Sequence, residues 1–188
     1  MRFLLLLILI FSEALFAKFG QRVLVRRAEP ADLPALEKLF YSPEMREFYF
    51  MGEPKNPEAW LEHSRLQPFT PLQPVRSRYF VIADPATNEF RGIITDITNR
   101  ETGEHELSYA IAREFRRNKL ASDALDFMID QAFREDPDGV VTAMVLAGNE
   151  GSRELLLSKG FTHVGGWMMQ MQVFELTLKC QNQVVGSP

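Results

Sequence analysis

The fold is constrained most by the succession of elements between residues 104 and 147. These are a strand, a short basic loop, a long amphipathic helix and an apolar strand. Apolar residues alternate with polar or small ones over 104–112, which predicts a strand. They then recur at helical spacing over 119–134. Residues 140–147 are apolar throughout and predict a second strand, which we expect to run parallel to the first.

The rest of the chain supplies further strands and helices, in the predicted order β-α-α-β-β-β-α-β-α-β. Three of the strands, between residues 78 and 112, have tight links and predict an antiparallel meander. Asp32 is expected to cap the first helix, and Gly165-Gly166 to form a turn between late strands. These elements predict one α/β domain over residues 21–180, with a mixed, mostly antiparallel sheet of six or seven strands flanked by helices. Residues 181–188 form a C-terminal tail.

Composition excludes several functional classes. The chain is 46% hydrophobic with a net charge of −4, so it has no basic stripe of the kind that nucleic-acid binding requires. Its one cysteine, Cys180, excludes an intramolecular disulfide. The three histidines, His63, His105 and His163, lack the spacing of metal ligands. We expect them to be surface or partly packed side chains, and we expect no metal.

The first 20 residues form an apolar leader. Arg2 precedes a nearly pure apolar run from Phe3 to Phe11, and Ala17 could mark a cleavage site. The run is shorter than the ~20 apolar residues that cross a bilayer. Three interpretations stay open: a signal peptide, an anchor at the membrane surface, and a miscalled start codon. Residues 1–17 would permit contact with a membrane.

Two motifs carry candidate chemistry. In the loop over 113–118, free backbone amides and the positive end of the helix dipole converge, and basic side chains add charge, which would suit a pyrophosphate. Taken alone, a basic cluster is better explained as solvated loop charges than as a binding site. The second motif runs from Asn149 to Ser152 and is followed by Gly160-Phe161. Taken alone, it is explained by Asn149 capping a helix.

Taken in order, these motifs resemble the GNAT superfamily, and within it the ribosomal-protein-alanine N-acetyltransferases. The resemblance runs from about Val23 to Leu178, and one position departs from it, because the first glycine of the family's loop is Lys119 here. The matching residues are Arg26-Arg27-Ala28 with Asp32 and Leu33, Glu106-Leu107-Ser108-Tyr109, Arg116 through Ala121 with Ala124-Leu125, Asn149 with Ser152, and Gly160-Phe161. The resemblance implies a single GNAT-like domain whose sheet is splayed between its fourth and fifth strands.

The resemblance also implies acetyl-CoA as co-substrate, with direct transfer of its acetyl group to a primary amine in a ternary complex and without a metal. Loop amides would hold the pyrophosphate, and the end of the preceding strand would pair with the pantetheine arm. A backbone N–H there would polarise the thioester carbonyl, and Asn149 would hold a pantetheine amide or a bridging water. The implied cofactor-binding residues are Ala110, Ile111, Arg116, Arg117, Asn118, Lys119, Leu120, Ala121 and Asn149.

Two catalytic residues follow from the same resemblance. Glu106 is the candidate general base, since it shares a strand face with Ser108 and Ala110. Many relatives protonate the departing thiolate with a tyrosine seven positions after the asparagine, but that position is Leu156 here. Ser152 is therefore the candidate proton donor.

Two other functions stay open: a non-catalytic acyl-CoA sensor or scaffold on the same fold, and an exported binding domain if the leader is a signal peptide. The acceptor would be a protein N-terminus or a small amine, and the protein a monomer or homodimer. Because acetyl-CoA is a cytosolic metabolite, we expect a cytoplasmic location, with membrane association through the leader and export as alternatives.

Overall fold

The computed structural model describes residues 22–48, 56–66, 74–167 and 171–177, so the predicted leader and tail lie outside the described residues. Within these ranges the chain forms seven strands, five α-helices and two short 3-10 turns. The strands are β1 Leu24–Arg26, β2 Val75–Ala83, β3 Phe90–Asn99, β4 Glu104–Ile111, β5 Val140–Leu146, β6 Thr162–Trp167 and β7 Met171–Leu176. The helices are α1 Leu33–Phe40, α2 Pro43–Phe48, α3 Pro57–Leu66, α4 Leu120–Glu135 and α5 Glu150–Ser158, and the 3-10 turns are Pro30–Asp32 and Arg113–Phe115. In these ranges, no helix combines the length and the apolar character needed to cross a membrane.

The strands form one mixed sheet in the order β1-β2-β3-β4-β5-β7-β6. Every neighbouring pair is antiparallel except β4 and β5, which are parallel because α4 carries the chain from one to the other. The predicted meander is confirmed as β2, β3 and β4. The single α/β domain with a mixed, mostly antiparallel sheet is confirmed as well.

The sheet forks between β4 and β5. These strands pair over only three positions, from Glu104 opposite Val140 to Glu106 opposite Thr142. Beyond them β4 stays paired with β3, and β5 stays paired with β7 as far as Leu146. The carboxyl ends of the two parallel strands therefore diverge, which confirms the predicted splay.

Helices cover both faces of the sheet because apolar residues alternate along its strands. On one face, residues of α4 and α5 pack with Leu107 and Ile111 of β4 and with Val141 of β5. On the other face, residues of α1 and α3 pack with Val81 and Ile93. The start of α4 and the start of α5 thereby both lie near the open end of the fork.

Two local predictions were wrong. The Asp32 side chain does not cap α1. It accepts hydrogen bonds from the Arg26 guanidinium at 2.8 and 2.9 Å and from the Glu29 N–H at 2.7 Å, which fixes the 3-10 turn before α1. Gly165 and Gly166 form no turn, because both pair with β7 inside β6, beside a register irregularity.

The prediction for His105 was also wrong, because its side chain is only 2% exposed. Its Nδ1 lies 3.2 Å from both carboxylate oxygens of Asp96, which is fully buried and also pairs with Arg78. Burial alone would raise the pKa of Asp96, but the hydrogen bond from His105 and the charge of Arg78 outweigh it and hold that pKa below its usual value. This buried polar cluster lies beside the closed end of the fork.

Candidate active site

A cavity of about 710 Å³ lies at the open end of the fork, between the end of β4, the start of α4 and the start of α5. Most of the predicted site residues line it. These are Ala110, Ile111, Arg116, Arg117, Lys119, Leu120, Ala121, Asn149 and Ser152. Glu106 and Asn118 are not among the lining residues.

The loop before α4 bends through two residues with left-handed backbone conformations. Arg117 has φ +64° and Lys119 has φ +60°, and each costs a non-glycine residue about 1–2 kcal/mol. Lys119 is the N-cap of α4, and its side chain makes no capping hydrogen bond. The first amides of α4, which have no intrahelical partner, therefore border the cavity at the positive end of the helix dipole, as in an anion-binding site.

The basic side chains of this loop have different roles. Arg116 donates from Nε to the carbonyl of Ile111 at 3.0 Å, and its Nη1 lies 3.5 Å from Glu44, so it ties the loop to the end of β4. Across the part of the chain that the structure describes, neither Arg117 nor Lys119 forms an ion pair. These two charges are therefore available to an anion in the cavity.

Asn118 supports the loop from outside the cavity. Its side-chain amide donates to the carbonyl of Phe115 at 3.2 Å, which braces the turn between the 3-10 turn and α4. The Phe115 ring is held in turn by the Arg91 guanidinium, 4.4 Å from the ring centroid. The side chain of Asn118 thus stabilises the shape of the loop.

Asn149 and Ser152 begin α5 on the opposite wall. Asn149 Oδ1 accepts the backbone N–H of Ser152 at 3.3 Å, so the amide oxygen caps the helix as predicted. Its amide nitrogen remains a donor at the cavity wall. Leu156, one turn further on, is fully buried in the core. A residue at position 156 therefore faces the core in this chain, whereas Ser152 brings a hydroxyl to the cavity.

Tyr109 is a cavity residue that the sequence analysis assigned to a motif but not to the site. Its phenol oxygen is buried and makes no hydrogen bond within the described ranges. Burial raises the pKa of this phenol, and the Ser152 hydroxyl nearby lowers it to a smaller extent. The side chain therefore stays a neutral hydrogen-bond donor. The alternation along β4 predicts that Tyr109 faces the core. The pattern therefore gave no indication that its side chain also lines the cavity.

Glu106 lies at the closed end of the fork. It pairs with Ile97 on β3 and with Thr142 on β5, and it is the last β4 residue of the parallel ladder. It shares a strand face with Ala110, which lies four positions later and therefore ~13 Å along the strand. Glu106 is half-buried and does not line the cavity.

The helix α2 contributes residues that no sequence motif indicated. Glu44 and Met45 line the cavity, and Glu44 also borders a second cavity of about 640 Å³ on the far side of Phe115. Their position depends on how α2 packs, which a pattern of residues along the chain does not encode. Over the ranges described, the structure contains no cluster of three or more His, Cys, Asp or Glu side chains that could hold a metal ion.

Solved structures share this architecture at low sequence identity. Spermidine N-acetyltransferase from Vibrio cholerae, in complex with CoA and spermine, matches with a TM-score of 0.64 and 19% identity over 82% of this chain and 93% of that one. RimL, a ribosomal L7/L12 α-N-protein acetyltransferase solved with coenzyme A, matches with a TM-score of 0.68 and 13% identity over 88% and 98%. A GNAT-family acetyltransferase from Bacillus anthracis matches with a TM-score of 0.68 and 14% identity over 84% and 95%.

No curated protein sequence matches the chain significantly. The family model described as "Acetyltransferase (GNAT) domain" matches residues 22–162, which is most of the chain and includes the fork, the loop and the start of α5. The chain therefore belongs to the GNAT acetyltransferase family.

Proposed function

We propose that this protein transfers an acetyl group from acetyl-CoA to a primary amine, by direct attack of the amine in a ternary complex. One observation carries the proposal: the cavity at the fork brings together an uncapped helix N-terminus, a strand end and the hydroxyl of Ser152. The helix N-terminus suits a pyrophosphate, and the strand end suits an extended arm that carries amides. The Ser152 hydroxyl suits a sulfur leaving group. The CoA in two of the similar structures supports the same co-substrate.

The cofactor-binding residues divide into three groups along the cavity. The amides of residues 116–121 and the charges of Arg117 and Lys119 would bind the pyrophosphate. The edge of β4 at Ala110 and Ile111, where β4 no longer pairs with β5, would pair with the pantetheine arm, and an N–H there would polarise the thioester carbonyl. Because Asn149 Oδ1 already caps α5, its amide nitrogen would donate to a pantetheine carbonyl or to a bridging water.

Two residues would handle protons at opposite ends of the transfer. Glu106 would accept the proton of the attacking amine, and its ~13 Å offset from Ala110 along β4 requires a water relay. Ser152, on the cavity wall, would donate a proton to the thiolate. The acceptor would be a protein N-terminus or a small amine, and spermidine and ribosomal-protein acetyltransferases are among the similar folds. Use of acetyl-CoA also favours a cytoplasmic location.

The test combines binding with turnover. Calorimetry with acetyl-CoA should show a dissociation constant at or below about 1 mM. Spermidine and a synthetic peptide with a free α-amino group should then be offered as acceptors, with thiol release as the readout. Binding accompanied by thiol release that depends on the amine supports the proposal. Binding without turnover of any amine would replace it with the sensor alternative, and the absence of binding would remove both.

Replacing Ser152 by alanine is expected to lower kcat measurably but by less than ~100-fold, which is below the ~10²–10⁴-fold that general acid catalysis usually contributes. Water can protonate a thiolate whose thiol pKa is about 8.5, by analogy with cysteine. The measurement is kcat at saturating acetyl-CoA, with Ser77→Ala on β2 as a matched control outside the cavity. An unchanged kcat would remove Ser152 from the catalytic residues.

Replacing Lys119 by glycine is expected to raise the melting temperature but to weaken acetyl-CoA binding. Relief of the left-handed strain, about 1–2 kcal/mol, exceeds the entropic cost of glycine, about 0.5–1 kcal/mol, so the melting temperature should rise by up to ~4 °C. The loop already has the glycine-like conformation, so the substitution removes only the charge, and affinity should fall up to ~5-fold.

Lys119→Asn is the matched control, since asparagine tolerates the left-handed region without a charge. It should weaken binding as much as glycine does, with less gain in melting temperature. A rise in affinity for either variant would show that the lysine side chain obstructs the cofactor.

A further inference from the structure

Two hydroxyl groups from different elements meet at the inner wall of the cavity. Tyr109 reaches it from β4, and Ser152 reaches it from the first turn of α5. β4 and β5 have separated before this level, and both side chains line the cavity that opens there. Both line the same cavity as Ala110 and Ile111, where the thioester carbonyl would be held.

The Tyr109 phenol oxygen is buried without a hydrogen-bond partner in the described part of the chain. A buried polar atom that lacks a partner destabilises a fold, and those that native structures retain call for an explanation. The Ser152 hydroxyl is near enough to lower the pKa of the phenol through hydrogen bonding, although the contact does not meet the distance and angle of an ordinary hydrogen bond. Two hydroxyls this close together, one of them without a partner of ordinary geometry, can both donate to one acceptor atom in the cavity.

We propose that Tyr109 is a second catalytic hydroxyl, which donates a hydrogen bond to the sulfur of acetyl-CoA beside Ser152. This inference rests on the proposed function and adds a residue to its leaving-group site. Relatives with a tyrosine seven positions after the asparagine bring a phenol from the helix; here that position is a buried leucine, and the phenol comes from the strand.

The step balances with the groups present. The amine nitrogen bonds to the thioester carbonyl carbon, and the carbon–sulfur bond breaks with its electron pair on sulfur. Both hydroxyls hydrogen-bond the thiolate, the Ser152 proton passes to sulfur, and solvent returns a proton to Ser152. The proton lost by the amine passes through water to Glu106, the proposed base.

Tyr109 keeps its own proton throughout this step. Burial raises the pKa of the phenol, so phenolate formation is disfavoured and the group serves as a donor alone.

The test measures the thiol pKa of CoA bound to an excess of protein, from thiolate absorbance across pH, with S-methyl-CoA as the blank. Two donors should lower this pKa by about one to two units below the free thiol. In the Tyr109→Phe variant, the thiol pKa of bound CoA should rise by about one unit, back towards the value of the free thiol. The affinity for S-methyl-CoA should be unchanged. Tyr79→Phe is the matched control, because Tyr79 stacks on Trp60 in the opposite core and lies outside the cavity.

A second measurement separates this role from packing. Phenylalanine fills the same space without the unsatisfied hydroxyl, so Tyr109→Phe should raise the melting temperature of the ligand-free protein while lowering kcat about tenfold or more. Tyr109→Gln, which keeps a donor, should recover part of the thiol pKa shift.

An unchanged thiol pKa in a Tyr109→Phe protein that still binds S-methyl-CoA would overturn the inference and leave the proposed function standing. A lower melting temperature for that variant, with the pKa unchanged, would assign the hydroxyl to structure. If the unmodified protein binds neither CoA nor S-methyl-CoA, the proposed function fails and the inference fails with it.

Discussion

Replacing Glu106 by glutamine is expected to lower kcat by about 10²–10⁴-fold, the usual contribution of a general base. The loss should be largest at low pH, where little of the amine is neutral and its proton must be removed. Affinity for acetyl-CoA should change little, because Glu106 does not line the cavity that would hold it. Steady-state kinetics across pH, with calorimetry of acetyl-CoA binding, measure both effects.

Glu104→Gln is the matched control for Glu106. Glu104 lies two positions earlier on the same strand face, is exposed, and accepts a hydrogen bond from Thr142 at 3.2 Å. Its substitution should change kcat by no more than a few-fold. Equal losses in the two variants would mean that carboxylates at the fork act through the general electrostatic field or through strand pairing. The base would then be sought elsewhere in the cleft.

The largest loss of stability is expected from Asp96→Ala, which should lower the free energy of unfolding by about 3–5 kcal/mol. The substitution removes the carboxylate shared by buried His105 and by Arg78, whose side chain is only 15% exposed and which keeps Glu135 as its remaining anionic partner, so the loss should lie toward the lower end of this range. Denaturant unfolding of both proteins measures the difference. Glu62→Ala, which breaks an exposed pair with Arg65, is the control and should cost at most about 1 kcal/mol.

The stabilisation by Asp96 should depend on pH in a fixed direction. Its pKa is lowered in the folded protein, so the folded state binds the proton less readily than the unfolded state does. The contribution is therefore complete above the unfolded carboxyl value of about 3.9 and is lost as the pH falls from there through the lowered folded pKa. A contribution that grew on acidification would contradict the assignment of a charged Asp96.

Local patterns predicted the elements that position the site. Apolar alternation and helical spacing identified β4, α4 and β5, and the order of motifs predicted that β4 and β5 would separate. Nine predicted residues line the cavity, and each lies where an element begins or ends: Ala110, Ile111, Arg116, Arg117, Lys119, Leu120, Ala121, Asn149 and Ser152. The ends of helices and strands are determined by residues close to them in the chain, so they can be predicted from one sequence.

What could not be predicted depends on contacts between distant segments. His105 looks like an ordinary strand residue until β3 brings Asp96 beside it and Arg78 beside Asp96. Glu44 reaches the cavity only because α2 packs against the loop of Arg116. Asp32 had the position of a cap, yet its carboxylate is held by Arg26. In each case the local sequence is compatible with several roles for the side chain. A residue distant in the chain determines which role it has.

Because β4 and β5 pair only briefly, the proposed co-substrate would help to hold the sheet together. One half-sheet, β1 to β4, meets the other, β5 with β7 and β6, through a ladder of only three residue pairs. A pantetheine arm lying in the gap would contact both half-sheets and so connect them. A ligand present at 100 times its dissociation constant adds about 2.7 kcal/mol to the free energy of unfolding. Slow hydrogen exchange at the diverging strand ends would then follow the acyl-CoA concentration, and the rigidity of the fork would vary with the supply of the proposed substrate.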